Sequence, residues 1–267
     1  MNRVYTKIEM LALTDLLREG VIHRMVDSLD IHPKSIGLDA GCGTGSCTDI
    51  LAENAGAGSR VIGIDLDIDA LRSSRNRPGR KDTAYIRGNL TQLPFSDQTF
   101  DWALSVDCVG MIPYSASRMI TELVRVVKPG GTLALASWTS QLLLPGHPRL
   151  EAHLNATARG IAPFQDELPP SLHFLRLRGQ LEAAGLHDIR VRSLLGDIHP
   201  PSNDSEKRAL DSLFFMRWGR DPAGLTDEER RLYRSLIDPE SDWCIYRQPD
   251  YYAWFIYTLF TAQIPGK

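Results

Sequence analysis

Residues 38–45 read Leu38-Asp39-Ala40-Gly41-Cys42-Gly43-Thr44-Gly45, with glycine at every second position from 41 to 45. This stretch follows a short apolar run and precedes a segment with helical periodicity, which predicts a strand–turn–helix unit. Glycines let the backbone of such a turn come close to a ligand, and the N-terminus of the next helix offers N–H groups with partial positive charge. The turn is therefore predicted to bind a ligand, with an anionic group favoured there.

Short apolar runs alternate with helical segments on both sides of the turn. Five strands are predicted at residues 35–38, 60–64, 84–87, 102–106 and 132–137. Helices are predicted between them at 47–55, 68–74 and 116–127, and an amphipathic helix before them at 10–29. Such alternation is typical of βαβ units with right-handed crossovers, so the predicted fold is α/β with a mostly parallel, buried sheet.

The pattern becomes less regular after Trp138. Residues 140–171 are rich in Pro, Gly and Leu without a clean period, which predicts a long loop or lid. A helix at 174–184 and an alternating strand at 188–193 follow. Two helices at 206–218 and 226–237, the second opened by a capping box at Thr226, are predicted to form a cap before a last strand at 252–262.

Composition limits the class of protein. A chain of 267 residues can hold one elaborated α/β domain or a core with an appended cap. The formal net charge of −3 gives no overall attraction to nucleic acid or to an anionic membrane, so a small-molecule partner is expected. With no secretion signal, no apolar run of the ~20 residues that span a bilayer, and four scattered cysteines predicted to be free thiols, we expect a cytoplasmic protein.

The type of ligand follows from spacing. Asp65 ends the second predicted strand, twenty residues after Gly45, where its carboxylate can accept hydrogen bonds from ribose hydroxyls. The glycines form G-x-G-x-G followed by Ser46, whereas dinucleotide sites usually show G-x-G-x-x-G/A. The chain also lacks the G-x-x-x-x-G-K-[ST] loop that binds nucleoside triphosphates. A nucleoside ligand with few or no phosphates is therefore predicted.

These residues resemble the class I S-adenosylmethionine-dependent methyltransferases, in particular the small-molecule subgroup that includes ubiquinone and menaquinone C-methyltransferases. The resemblance covers residues 35–138. It rests on several motifs in order, which are Leu38 to Gly45, Gly63-Ile64-Asp65, Gly88-Asn89-Leu90 with Leu93-Pro94-Phe95, Phe100-Asp101, and Arg125-Val126-Val127-Lys128-Pro129-Gly130-Gly131.

The resemblance implies a Rossmann-like sheet of seven strands with an antiparallel last strand, helices on both faces, and S-adenosylmethionine as cofactor. It implies that the methionine part of the cofactor is surrounded by Asp39, Gly41, Gly43 and Gly45. Asp65, with Leu66 beside it, would hold the ribose, Asn89 and Leu90 would flank adenine, and Asp107 would face the same cleft. Members of the family more often have aspartate at position 89, but an amide oxygen can also accept from the adenine amino group.

We expect a single methyltransferase domain. Its predicted parts are a helical segment at 1–34, the cofactor-binding core at 35–138, a lid at 139–173, and the rest of the sheet at 174–267 with a helical insertion at 196–250 that could cover the substrate. The reaction expected is methyl transfer to an O, C or N atom of a small-molecule acceptor, for which an apolar or aromatic compound is considered. The alternatives are a non-catalytic cofactor-binding module or a nicotinamide-dependent oxidoreductase.

The catalytic residues cannot be assigned from sequence. A general base would be needed for a hydroxyl or acidic carbon acceptor, and its candidates are His147, His153, His173 and Asp107. His147 and His153 are six residues apart, which does not match the ligand spacing of a zinc helix, so no metal is predicted. Val106-Asp107-Cys108-Val109 stands where nucleic-acid amino-methyltransferases often carry Asn/Asp-Pro-Pro-Tyr/Phe, which makes bases poor candidate acceptors.

Overall fold

The fold is built around one sheet of seven strands. The computed structural model describes residues 5–77, 82–109, 115–157 and 169–266. The strands are β1 (Ile36–Ala40), β2 (Arg60–Asp65), β3 (Thr83–Arg87), β4 (Phe100–Val106), β5 (Val127–Leu142), β6 (His187–Ile198) and β7 (Ala253–Gln263). Each of the seven strands predicted from sequence is confirmed, with bounds that differ at the ends.

Eight α-helices connect the strands or extend from them in the described ranges. They are α1 (Lys7–Asp27), α2 (Ser46–Ala55), α3 (Ile68–Arg75), α4 (Ala116–Val126), α5 (Pro148–Thr157), α6 (Leu177–Ala183), α7 (Asp204–Trp218) and α8 (Asp227–Ile237). The capping box predicted for α8 is present, since the Thr226 side chain accepts from the Glu229 N–H and the Glu229 carboxylate accepts from the Thr226 N–H. A second capping box, formed by Thr6 and Glu9, begins α1.

The strand order is β3-β2-β1-β4-β5-β7-β6. The first five strands of this order are parallel, and β7 pairs antiparallel with both β5 and β6. This arrangement confirms the predicted mostly parallel sheet with an antiparallel last strand. Parallel strands end at the same edge of a sheet, so the segments that follow β1, β2 and β4 lie close together. The last residues of these strands are Ala40, Asp65 and Val106.

The core lies on both faces of the sheet. Along β5, Ala134, Ala136 and Trp138 pack into one apolar cluster with α1, α2, α7 and α8. Leu133 and Leu135 point to the opposite face, where they pack with α4 and α6. Side chains of a strand alternate between faces, so a sheet covered by helices on both sides needs nearly continuous apolar strands.

The region predicted as a lid at 139–173 is more ordered than its sequence indicates. Strand β5 continues to Leu142 and helix α5 follows, while residues 158–168 of the predicted lid lie outside the described residues. The Glu151 carboxylate of α5 accepts the N–H groups of Leu143 and Leu144 at 2.7 and 2.9 Å. Because Leu150 and Leu154 are buried in the core, tertiary packing stabilises a helix that local periodicity does not reveal.

The predicted cap packs closely against the core. Strand β6 runs to Ile198, so the helical part of the insertion begins later than residue 196. Helix α7 packs along α1, where Thr14 donates to the Met216 sulfur and Ser212 donates to the Met10 carbonyl. The cap therefore contacts the rest of the protein mainly through α1, and it also packs on α5 and the sheet. In the described ranges, no helix is both long enough and apolar enough to cross a membrane.

Two glycines provide a matched test of this packing. A Cβ built on Gly37 in β1 would lie 2.0 Å from the Trp102 ring, whereas one on Gly179 in α6 would meet nothing within 4 Å. We expect Gly37→Ala to lower the free energy of unfolding by about 1–3 kcal/mol through overpacking. Gly179→Ala should raise it by about 0.4–1 kcal/mol, because alanine restricts the unfolded chain. Urea unfolding of both variants checks the pair, and a neutral Gly37→Ala would contradict the close contact of β1 with β4.

Candidate cofactor site

The glycine turn after β1 is held against the end of β2. The N–H groups of Gly41 and Cys42 both donate to the Ile64 carbonyl, at 2.8 and 3.0 Å. Gly41, Gly43 and Gly45 have φ values of +88°, +51° and +86°, a region that other residues rarely adopt. At Gly41 the space is also restricted, since an added Cβ would lie 2.1 Å from the Cys108 sulfur.

Asp65 connects the two strand ends. One carboxylate oxygen accepts from the Gly43 N–H at 2.9 Å and the other from the Asp67 N–H at 2.8 Å. A carboxylate has about four acceptor positions, so each oxygen can accept one further hydrogen bond. This geometry suits a carboxylate that binds a pair of ribose hydroxyls.

A cavity of about 390 Å³ opens at this edge of the sheet. Small-molecule sites span ~300–1,000 Å³, so its size suits a nucleoside-containing ligand. Six of the predicted cofactor residues line it, namely Gly41, Asp65, Leu66, Asn89, Leu90 and Asp107. Asp39, Gly43 and Gly45 do not line it. Gly43 and Gly45 belong to the turn itself, and Asp39 is buried beneath it.

Four further residues line the cavity that were not predicted: Lys7, Asp67, Cys108 and Met119. The Lys7 ammonium forms an ion pair with the Asp67 carboxylate at 2.8 Å across the cavity mouth. Asp67 could have been found, because it caps α3 by accepting from the Asp69 and Ala70 N–H groups. Lys7 carries no such signal, since it lies sixty positions before Asp67 and only the fold brings the two residues together.

Asp39 stabilises the turn from below. Its carboxylate is 1% exposed and accepts a hydrogen bond from Thr48 Oγ1 of α2 at 2.6 Å. Burial is the main cause that raises the pKa of Asp39, the hydrogen bond from Thr48 opposes this shift, and the nearby Asp65 charge adds to it; together they place the pKa at about 7. A positive charge above the turn, such as an ammonium group, would lower this pKa and favour the ionised carboxylate.

Asp107 faces the cavity, as predicted, but its carboxylate is fully engaged. One oxygen accepts from Arg18 at 3.0 Å and from the Tyr257 hydroxyl at 2.5 Å. The other accepts from the Trp138 N–H at 2.8 Å and from Ser137 Oγ at 3.4 Å. Four donors leave no position at which it would accept a proton from substrate. Through these hydrogen bonds, Asp107 anchors the end of β4 to α1, β5 and β7. The backbone of Asp107 also adopts a left-handed φ of +55°.

The histidines named as candidate bases lie elsewhere. Among the described residues that line the cavity there is no histidine. His153 contacts Glu229 of α8 at 2.6 Å, and the His173 ring accepts from the Leu175 N–H at 3.3 Å. In the described ranges, no group of three or more His, Cys, Asp or Glu residues could hold a metal ion.

Most C-terminal aromatic residues pack into the core instead of lining the cavity. Phe255 stacks on Trp138 with ring centroids 4.1 Å apart, and Phe260 packs edge-on against Phe174 at 5.5 Å. Tyr257 is buried and reaches the site only through its hydroxyl. All four cysteines are free thiols, as predicted.

S-adenosylmethionine fits this arrangement. The turn at Gly41 suits its amino-acid part, the Asp65 oxygens suit the ribose, and the apolar side chain of Leu90 suits a flat base. The individual contacts stay a prediction.

The shifted pKa of Asp39 makes the stability of the protein depend on pH. Between pH 3.8 and about 7 the folded protein keeps a proton that the unfolded chain has lost, so stability falls as pH rises through this window. Asp39→Asn removes this effect and keeps an oxygen for Thr48. We expect the variant to gain roughly 2–3 kcal/mol over the wild type between pH 5 and pH 7, at about 1.4 kcal/mol per pKa unit.

Urea unfolding of both proteins at the two pH values measures this gain. Asp69→Asn is the control, because the Asp69 side chain is 65% exposed. A wild type and an Asp39→Asn variant with parallel pH profiles would show that Asp39 is ionised at pH 5.

Comparison with known proteins supports the interpretation of this site. The sequence model of a family described as "Methyltransferase domain" matches residues 38–135. The demethylmenaquinone methyltransferase of Renibacterium salmoninarum is 31% identical over 199 residues, which is 69% of this chain and 81% of that protein. The enzyme of the same name from Paenarthrobacter aurescens is 27% identical over 70% of this chain and 77% of its own. A shorter match, to the Bacillus cereus enzyme, is 34% identical over 39% of this chain and 44% of that relative.

Solved structures share the fold. Phosphoethanolamine N-methyltransferase 2 of Haemonchus contortus, in complex with S-adenosyl-L-methionine, superposes with a TM-score of 0.59 at 16% identity, over 98% of this chain and 58% of that chain. A methyltransferase from Aquifex aeolicus, described as dependent on the same cofactor, gives 0.53 at 18% identity, over 72% and 94%. With its motifs, its sheet order and these relatives, the chain belongs to the class I S-adenosylmethionine-dependent methyltransferases.

Proposed function

We propose that this protein transfers the methyl group of S-adenosylmethionine to a small apolar acceptor, and that a quinol of the demethylmenaquinol type is the first acceptor to test. The observation that carries the proposal is the cavity at the carboxyl edge of β1, β2 and β4, which joins six predicted cofactor residues. The names of the relatives from Renibacterium and Paenarthrobacter supply the acceptor class. A cytoplasmic location stays a prediction.

The polar groups of the cavity support an apolar acceptor. The Asp107 carboxylate is taken by four donors of the protein, and Lys7 pairs with Asp67. Leu90, Cys108 and Met119 provide the apolar lining. An acceptor beside these groups would be recognised by shape and apolar contact more than by charge.

The cofactor supplies an activated methyl group on a good leaving group, so the main task of the protein is to align the acceptor with it. Well-oriented groups gain most of their rate from proximity, and ~7–11 kcal/mol of a barrier can be removed in this way. In this chain, the glycine turn, Asp65 and the Asp107 anchor hold fixed positions around the cavity. The described residues around the cavity therefore contribute rigid positioning. The proton that the acceptor loses would pass to solvent or to a residue that does not belong to the described ranges.

Cofactor binding can be tested independently of the acceptor. We expect Asp65→Ala to weaken the binding of S-adenosylhomocysteine at least tenfold, because a hydrogen bond to a charged group contributes ~1.5–3 kcal/mol. Asp69→Ala removes a carboxylate of the same helix–turn region that does not line the cavity, and it should change the dissociation constant less than twofold. Isothermal titration calorimetry measures both variants, and equal affinities of Asp65→Ala and wild type would disprove this role of Asp65.

Transfer itself needs an acceptor assay. Wild-type protein incubated with methyl-labelled S-adenosylmethionine and a short-chain demethylmenaquinol should label the quinol, while Asp65→Ala should lose most of this activity at limiting cofactor. Phosphoethanolamine and a DNA oligonucleotide serve as polar controls and should stay unlabelled. Label on a polar control alone would reject the acceptor class, and tight cofactor binding without transfer to any of a broad acceptor panel would favour a non-catalytic binding module.

A further inference from the structure

The first residue of α1 and the residue before α3 meet at the mouth of the cavity. Lys7 Nζ lies 2.8 Å from Asp67 Oδ2, and both residues line the cavity. The Lys7 side chain is 71% exposed, whereas the Asp67 side chain is 29% exposed. The contact therefore joins a long side chain in solvent to a carboxylate that is largely enclosed by the protein.

The Asp67 carboxylate uses its two oxygens for different contacts. Oδ1 accepts from the N–H groups of Asp69 and Ala70, at 3.0 and 3.3 Å, and so caps α3. Oδ2 is the oxygen that contacts Lys7. The Asp67 backbone N–H donates to the Asp65 carboxylate at 2.8 Å. Asp67 is thus held in place beside the carboxylate that is predicted to bind the ribose.

The body of α1 is held in place independently of Lys7. Asp15 accepts from Thr44 of the glycine turn at 2.7 Å, and Arg18 donates to Asp107 at 3.0 Å. Four apolar side chains in the second half of α1 are buried in the core, namely Val21, Ile22, Met25 and Val26. The cavity mouth can therefore open by rotation of the Lys7 side chain, without displacement of the helix.

Helix stability does not explain a lysine at this position. The N–H groups in the first turn of a helix carry partial positive charge, so a cation at Lys7 is unfavourable for α1. The capping box of Thr6 and Glu9 already satisfies N–H groups at this end. An exposed ion pair also contributes little to the stability of a protein. A role at the cavity mouth accounts for the position of Lys7.

We propose that Lys7 and Asp67 form a strap across the cavity mouth, and that this strap opens each time the cofactor or its product passes. The inference rests on the proposed binding of S-adenosylmethionine and adds the step that controls its exchange. A closed strap obstructs entry and exit alike. Its loss therefore accelerates association and dissociation by the same factor and leaves the dissociation constant nearly unchanged.

Surface plasmon resonance with S-adenosylhomocysteine measures both rate constants. This product has no net charge, so its own encounter with the protein depends little on salt. The variants are Lys7→Met, Lys7→Arg and Asp67→Asn, in which asparagine keeps the cap of α3. Lys128→Met is the matched control, because Lys128 pairs with Asp101 at 2.7 Å and neither residue belongs to the described lining of the cavity. Thermal unfolding verifies that each variant is folded.

We expect Lys7→Met and Asp67→Asn each to raise both rate constants about two- to fivefold, the size typical of an exposed ion pair, and to change the dissociation constant less than twofold. The double variant should be no faster than either single variant, because both changes remove the same contact. Lys7→Arg and Lys128→Met should keep the wild-type rates. Salt at about 0.5 M should accelerate the wild type and leave Lys7→Met unchanged.

Hydrogen exchange of residues 10–27 provides a second measurement. It should be the same in wild type and Lys7→Met, and faster exchange in the variant would overturn the proposal by showing that α1 itself moves. Wild-type rates in Lys7→Met, or a change in only one of the two rate constants, would also overturn it while leaving the proposed function intact. Failure of wild type to bind S-adenosylhomocysteine would reject the proposed function, and the strap with it.

Discussion

The hydrogen bond from the Gly43 N–H to the Asp65 carboxylate joins the ends of two adjacent parallel strands, and the site depends on it. It requires a turn whose backbone faces inward, which the left-handed conformations of the glycines permit. It also requires β1 and β2 to be in register, as the pairing of Ala40 with Ile64 shows. A shift of one residue would point Asp65 to the opposite face of the sheet.

Charged groups buried around this bond connect the site to the rest of the molecule. Asp15 of α1 accepts from Thr44 of the turn at 2.7 Å, and Arg18, one helical turn later, donates to Asp107 at the end of β4. Burying such groups is unfavourable unless they are paired, so each depends on the correct placement of the others. Helix α1 is therefore part of the site, although it precedes the sheet in sequence and carries none of the family's motifs.

The same helix links the site with the cap. Its N-terminal residue Lys7 reaches the cavity mouth, and its opposite side packs against α7. The cap lies on the cluster formed by α1, α2 and the inner aromatic residues of β7, in which Phe255 and Tyr257 are fully buried. Among the described residues, the cap supports α1 but contributes none of the residues that line the cavity.

Local sequence patterns predict the seven strands, most of the helices, the glycine turn and the position of Asp65 beside the same ligand. These features depend on local periodicity and on conformations that few residue types can adopt, so they are visible within short stretches. The folded arrangement alone shows that residues 148–157 form a helix, that Lys7 and Asp67 meet, and that the Asp107 carboxylate accepts four hydrogen bonds. It also shows that the Asn89 amide oxygen accepts hydrogen bonds from Thr91. Each of these depends on groups that become neighbours only when the chain has folded, which no local pattern encodes.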